Sequence, residues 1–249
     1  MKIDRQQVTD YFNSYVADYD MTNVKIELKV RHTFRVAEIA ERIAVSIDAD
    51  RDTAWLLGML HDVGRFEQIR VYNTFVDADS VNHAALSADI LFNDGLIRRF
   101  ITDSSEDNLL ERAIRLHNVY ELPESLSERE RTFCCILRDA DKTDIFRVTW
   151  ETPMNELYNT PVREFYEAPV SPDVINDFLN RRNVNRCHKK TAVDTLIGHI
   201  SLIFGVVYPE SFRIIKEQGY LDKLLAFRSS NPETQKSMEL LNKIVHEYI

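Results

Sequence analysis

Apolar residues recur at three- and four-residue steps along nearly the whole chain, and no convincing run alternates apolar with polar residues. This periodicity restricts the fold most, because a helix is the element that gathers such a pattern on one face. We therefore expect an all-α protein. In VKIELKVRHTFRVAEIAERIAVSI, residues Val30, Phe34, Ala37, Ile39, Ala40, Ile43 and Ile47 make one stripe. The acidic DADRD that follows stops this helix and caps the next, which carries Trp55, Leu56, Met59 and Leu60 and has Gly64 as its stop signal. Ser80 reads as the cap of SVNHAALSADILFNDG, with Gly95 at its end. Ser104 with Asp107, and Ser127 with Glu130, have the spacing of capping boxes. The first opens a segment running to His117, and the second a long helix, SERERTFCCILRDADKTDIFRVTW. Four prolines between Thr152 and Pro172 indicate a connection. Helices resume with PDVINDFLNRR and the apolar TLIGHISLIFGVV, break at Tyr208 and Pro209, and end in a helix begun by Asn231 and Pro232.

With 249 residues, 44% of them hydrophobic, the chain can bury one sizeable core. The simplest organisation is one domain over 1–249, a core of about 24–150 with a helical C-terminal extension of about 151–249. A formal charge of −9 repels a phosphate backbone, so extended nucleic acid is disfavoured while a small anion remains allowed. Cys134, Cys135 and Cys187 form neither a CxxC pair nor a disulfide framework, which suits a reducing compartment. No window approaches the ~18 uninterrupted apolar residues of a spanning helix, and the N-terminus has no apolar signal region. The expectation is a cytoplasmic protein with no membrane partner, and a homo-oligomer is compatible with the apolar C-terminal helices.

The exceptions to apolar patterning carry the chemistry. LLGMLHDVGRF sets His61 and Asp62 side by side at the end of an apolar helix. Adjacent helical residues point about 100° apart, so both can turn toward one place only where the helix ends and its neighbours converge. Gly58 and Gly64 leave room for that convergence. His32 precedes this pair, and His83, His117 and Asp141 follow, each on or near its own helix. A single histidine on an apolar helix is usually a hydrogen-bonded core residue. An ordered series of imidazoles and carboxylates is a donor set for Fe, Mn, Zn or Ni, and one divalent cation compensates the burial of several such groups.

His32, then His61 with Asp62, then Asp141 resembles the H…HD…D pattern of the HD superfamily of metal-dependent phosphohydrolases. The contexts RHTFRVAEIA, LLGMLHDVGRF and LRDADKTDIFR are similar to those around that family's ligands, over about residues 28 to 150. The resemblance implies an all-α HD-domain helical bundle whose first metal is held by His32, His61, Asp62 and Asp141. It further implies that Asp62 bridges to a second ion held by His83 and His117, in the places where binuclear members have extra ligands. The cofactor is thus one or two divalent metal ions, with Fe, Mn, Mg, Ni and Zn all compatible.

Such a centre activates a water and neutralises phosphoryl oxygens, so Asp62 is the candidate catalytic carboxylate. Arg65 and Lys142 are the candidate phosphate contacts, because each lies beside or just after a proposed ligand. The family often has lysine where this chain has Arg65. There is no GYP tripeptide, no ED pair after HDVGR and nothing that resembles a triphosphohydrolase signature, which disfavours those subfamilies and leaves the small phosphorylated substrate that the resemblance implies open among phosphomonoesters, phosphodiesters and nucleotides. Two alternatives stand beside this phosphohydrolase: an HD-fold di-iron oxygenase that cleaves C–C or C–P bonds, since the same six ligands accept iron, and a metal-containing binding or sensor module. His188, His199 and His246 lie outside the pattern, and His199 reads as a hydrogen-bonded core residue.

Overall fold

The computed structural model describes residues 3–154, 157 and 160–249. It is 71% helical, with no strand among the described residues, and is the all-α bundle expected of an HD domain. The chain divides into two compact units, Met1–Asp141 and Lys142–Ile249.

In the first unit the helices are α1 (Arg5–Ala17), α2 (Val24–Ser46), α3 (Arg51–Leu60), α4 (Val63–Tyr72), α5 (His83–Ala88), α6 (Ile97–Phe100), α7 (Asp107–Arg115) and α8 (Glu128–Glu151), of which residues through Asp141 belong here. Asn23 caps α2, and Asp50 caps α3 by accepting from the amides of Asp52 and Thr53, as the DADRD segment suggests. A short link between α2 and α3 makes them antiparallel neighbours. Their crossing is fixed at Gly58, where a Cβ would lie 2.4 Å from Ala37 Cα and 2.6 Å from Ala37 N. Only a residue without a side chain allows so close an approach. Pairing Ala37 with Gly58 in antiparallel register sets His32 opposite the His61–Asp62 end of α3. The buried face of α2 therefore includes Lys29, His32, Thr33 and Val36, while Val30 and Phe34 are only half-buried.

Three local expectations are corrected. Gly64 does not terminate a helix: α3 ends at Leu60, and Gly64 lies in the first turn of α4. There its amide donates to Ser87 Oγ at 2.9 Å, and a Cβ would lie 2.6 Å from Ser87 N. Its role is close packing of α4 on α5. Asn82 rather than Ser80 caps α5, accepting from Ala85 N, because Ser80 is drawn into a 3-10 turn over Asp77–Asp79. No side chain caps α7; Ser104 contributes only its carbonyl, to Asp107 N. Gly95 does follow the last turn after α5, at φ +78°, a conformation that favours glycine. The Ser127–Glu130 box closes in both directions.

The second unit runs from Lys142 at mid-α8 through α9 (Val162–Glu167), α10 (Pro172–Leu179), α11 (Ala192–Ile200), α12 (Pro209–Gln218), α13 (Tyr220–Leu225) and α14 (Pro232–Tyr248). Its core gathers Phe146, Phe165, Phe178, Ile197, Ile200 and Leu241. The proline-rich connection contains α9, a short helix without a clear period; residues 155, 156, 158 and 159 of that connection lie outside the described residues. A capping box of Thr191 and Asp194 opens α11, and Asp194 also accepts from Ser171, tying the start of α10 to it. Asn231 caps α14, and Pro232 takes its first position.

Candidate metal centre

The break between α3 and α4 leaves His61 as the C-cap of one helix and Asp62 at the N-cap position of the next. An aspartate there ordinarily bonds the first amides of its helix. Asp62 makes no such bond, so its carboxylate is left for the interior. It is 2% exposed, and its two oxygens face different partners. Oδ2 lies 3.3 Å from His61 Nε2, 3.7 Å from His32 Nε2 and 2.6 Å from Lys29 Nζ. Oδ1 lies 3.7 Å from His83 Nε2, 3.8 Å from His117 Nε2 and 3.8 Å from Arg65 Nε, and makes no hydrogen bond although buried.

Donor atoms thus converge in two groups, His32, His61 and Asp62 on one side, and Asp62, His83 and His117 on the other. Asp141 Oδ1 extends the first, 3.2 Å from His32 Nε2 and 3.9 Å from His61 Nε2. All six residues singled out in the sequence meet within the first unit.

Hydrogen bonds fix which imidazole nitrogens carry lone pairs. A carbonyl only accepts, so His61 Nδ1 donates to Gly58 O at 2.8 Å and His117 Nδ1 donates to Ile114 O at 2.7 Å. His83 Nδ1 faces both carboxylate oxygens of Asp77 at 2.8 Å. Burial, with the neighbouring Arg65 guanidinium, pushes His83 down to about 4, and burial with the neighbouring His83 and His61 pushes His117 down to about 3. Both rings are therefore neutral at pH 7, with Nδ1 protonated and a lone pair on Nε2. These two Nε2 atoms stand 3.0 Å apart. Two lone pairs facing each other at this distance in a buried site repel, whereas a divalent cation would satisfy both, and a carboxylate or carbonyl behind each ring is the usual support for a metal-ligating histidine. The donor set fits divalent metals.

The carboxylates have the matching state. Burial alone would raise Asp62, but the Lys29 ammonium and the adjacent His61 hold it well below the usual carboxylate range. Burial likewise opposes ionisation of Asp141 and Asp77. The His32 imidazole, its Nε2 3.2 Å from Asp141 Oδ1, holds Asp141 low, and the hydrogen bond from His83 together with the charge of Arg65 does the same for Asp77.

Of the proposed phosphate contacts, Arg65 is at the centre. Its Nη1 donates to Gln68 Oε1, Phe75 O and Asp77 Oδ1, and its Nη2 lies 3.2 Å from His83 Nε2. Lys142, the first residue of the second unit, is buried there, and its ammonium donates to the carbonyl of Gly205 at 2.5 Å. His199 pairs with Thr149 Oγ1 at 3.0 Å, and burial pushes it down to about 3, as befits a neutral hydrogen-bonded side chain. His188 faces Asp177.

Sequence reasoning missed three supports. Lys29 is one turn before His32 on the same face of α2, a spacing that marks a shared surface. Asp77 sits in the non-periodic VDADS loop and carries no such signal. Arg138 donates to the carbonyls of Leu116, His117, Val119 and Tyr120 and so anchors the loop bearing His117 to α8.

Residues 30–145 match the family model of the HD domain. This supports placing the segment in the HD superfamily, whose domains are typically metal-dependent hydrolases. Neither curated proteins nor solved structures yield a match. Among the described residues no helix is long and apolar enough to cross a membrane.

Proposed function

We propose that this protein is a metal-dependent phosphohydrolase acting on a small phosphoester, with two divalent cations that share Asp62. The observation that carries the reading is the pair of facing Nε2 atoms of His83 and His117, which with Asp62 Oδ1 make a second donor group beside that of His32, His61 and Asp141. When bound, divalent cations acidify water and neutralise charge on a phosphoryl group. Two such cations together with Lys29 and Arg65 outweigh Asp62, Asp77 and Asp141, so the loaded site would carry excess positive charge suited to an anionic substrate. Arg65 holds its guanidinium against Asp77 and the Phe75 carbonyl, where it can orient a phosphate oxygen.

The test is a panel of phosphomonoesters, phosphodiesters and nucleotides offered to the full chain loaded with Mn²⁺ or Fe²⁺, following phosphate or alcohol release and dissolved oxygen together. Hydrolysis without oxygen uptake, lost in His61→Ala, is expected. Oxygen uptake without hydrolysis would replace the reading by the oxygenase. Metal binding with no turnover on any member of the panel would replace it by a binding module.

The support from Asp77 has its own consequence. Asp77→Ala frees His83 to rotate and change tautomer, so Mn²⁺ affinity at the second group is expected to fall by about 10- to 100-fold, with the first group little changed. Calorimetric titration of wild type and variant reads this as selective weakening of one of two binding events.

A further inference from the structure

Lys29 occupies an unusual place. Its side chain is 7% exposed, and its Nζ lies 2.6 Å from Asp62 Oδ2, the oxygen that also faces His32 and His61. Asp62 is 2% exposed, and Nζ is 5.7 Å from the centre of the Phe75 ring, which stands on the loop after α4. A buried carboxylate without a cation is costly, and the ammonium supplies that cation. A divalent cation held by His32, His61 and Asp62 draws on the same oxygen. Two cations cannot both take the full charge of one carboxylate oxygen at close range, because they repel each other there more strongly than in water.

We propose that Lys29 is an exchangeable internal counter-ion: in the metal-free protein its ammonium neutralises Asp62, and a divalent cation arriving at the first donor group displaces it from Oδ2 toward the face of Phe75. The exchange forms no covalent bond and transfers no proton. It sets the metal affinity of the first group below what its donors alone would give, and it keeps the empty bundle folded. A displaced ammonium also leaves a positive charge at the edge of the loaded centre. This inference rests on the metal-centre reading above.

The test uses the full chain stripped of metal, with Lys29→Met, which keeps the length of the side chain and removes its charge, and with Mn²⁺ alone as the probe. Calorimetry is expected to show Mn²⁺ bound about tenfold more tightly at the first group in Lys29→Met than in wild type. The metal-free variant is expected to melt at a lower temperature than metal-free wild type, with the gap closing once Mn²⁺ is added. A second measurement needs no variant: amine labelling of wild type read by mass spectrometry should modify Lys29 faster with Mn²⁺ present than without it. Unchanged or weaker Mn²⁺ binding in Lys29→Met, with Lys29 labelling insensitive to Mn²⁺, would overturn the exchange while leaving the metal centre standing. Failure of both proteins to bind Mn²⁺ would overturn the metal centre and the exchange with it.

Discussion

Asp62→Asn is expected to cost the protein both cations and its turnover in a single step. Asp62 is common to the two donor groups, so its amide replacement removes a charged ligand from each at once. Losing the several kcal/mol that bound cations contribute to a charged transition state corresponds to a drop in turnover of about a thousandfold or more. His83→Ala should weaken only the group that contains it. Asp62→Asn and Asp62→Ala both leave the buried Lys29 ammonium without its counter-charge, and breaking such a pair costs about 3–5 kcal/mol; the shorter Asp62→Ala should add to this defect, because it also removes the oxygen that accepts from Lys29. Metal content by mass spectrometry, turnover of the best substrate and thermal melting of the metal-free proteins separate these effects. Full metal occupancy in Asp62→Asn would contradict the shared role.

Gly58→Val is expected to unfold or severely destabilise the first unit, although the position is helical and apolar. The site of the new Cβ is filled by the backbone of Ala37, 2.4 Å away at its Cα, and backbone cannot step aside as a flexible side chain can. Gly58→Ala makes the sharper comparison. Alanine in place of helical glycine normally contributes about 1 kcal/mol in favour of the helix. Here overpacking of about 1–3 kcal/mol opposes that gain, so the sign of the change should be reversed. Because the Ala37–Gly58 contact also sets His32 against His61 and Asp62, whatever Gly58→Ala protein folds should bind Mn²⁺ more weakly. Denaturant titration and calorimetry on the same samples test both halves; a stabilised Gly58→Ala with unaltered Mn²⁺ binding would show that the crossing is looser than described.

What could be read from residue order alone follows the range of each interaction. Caps act over three residues, so Asp50, Asn231 and the Ser127–Glu130 pair were visible as helix starts. Helical periodicity placed His32 and Asp141 on helices, and the six-residue donor series was visible because each member interrupts an apolar pattern. Gly64 was misread because a glycine after an apolar run has the same local signature whether it ends a helix or makes room for another one; only the approach of Ser87 decides. Asp77 and Arg138 were invisible. Their partners are in contact through the fold, across loops that have no period to betray them.

The most direct test of the whole account is anomalous diffraction from crystals of the full chain grown with Mn²⁺. Two peaks are predicted, one beside Asp62 Oδ2 within reach of His32 and His61, the other beside Asp62 Oδ1 within reach of His83 and His117. A map with no peak touching Asp62, in protein shown to be folded and exposed to saturating Mn²⁺, would contradict it.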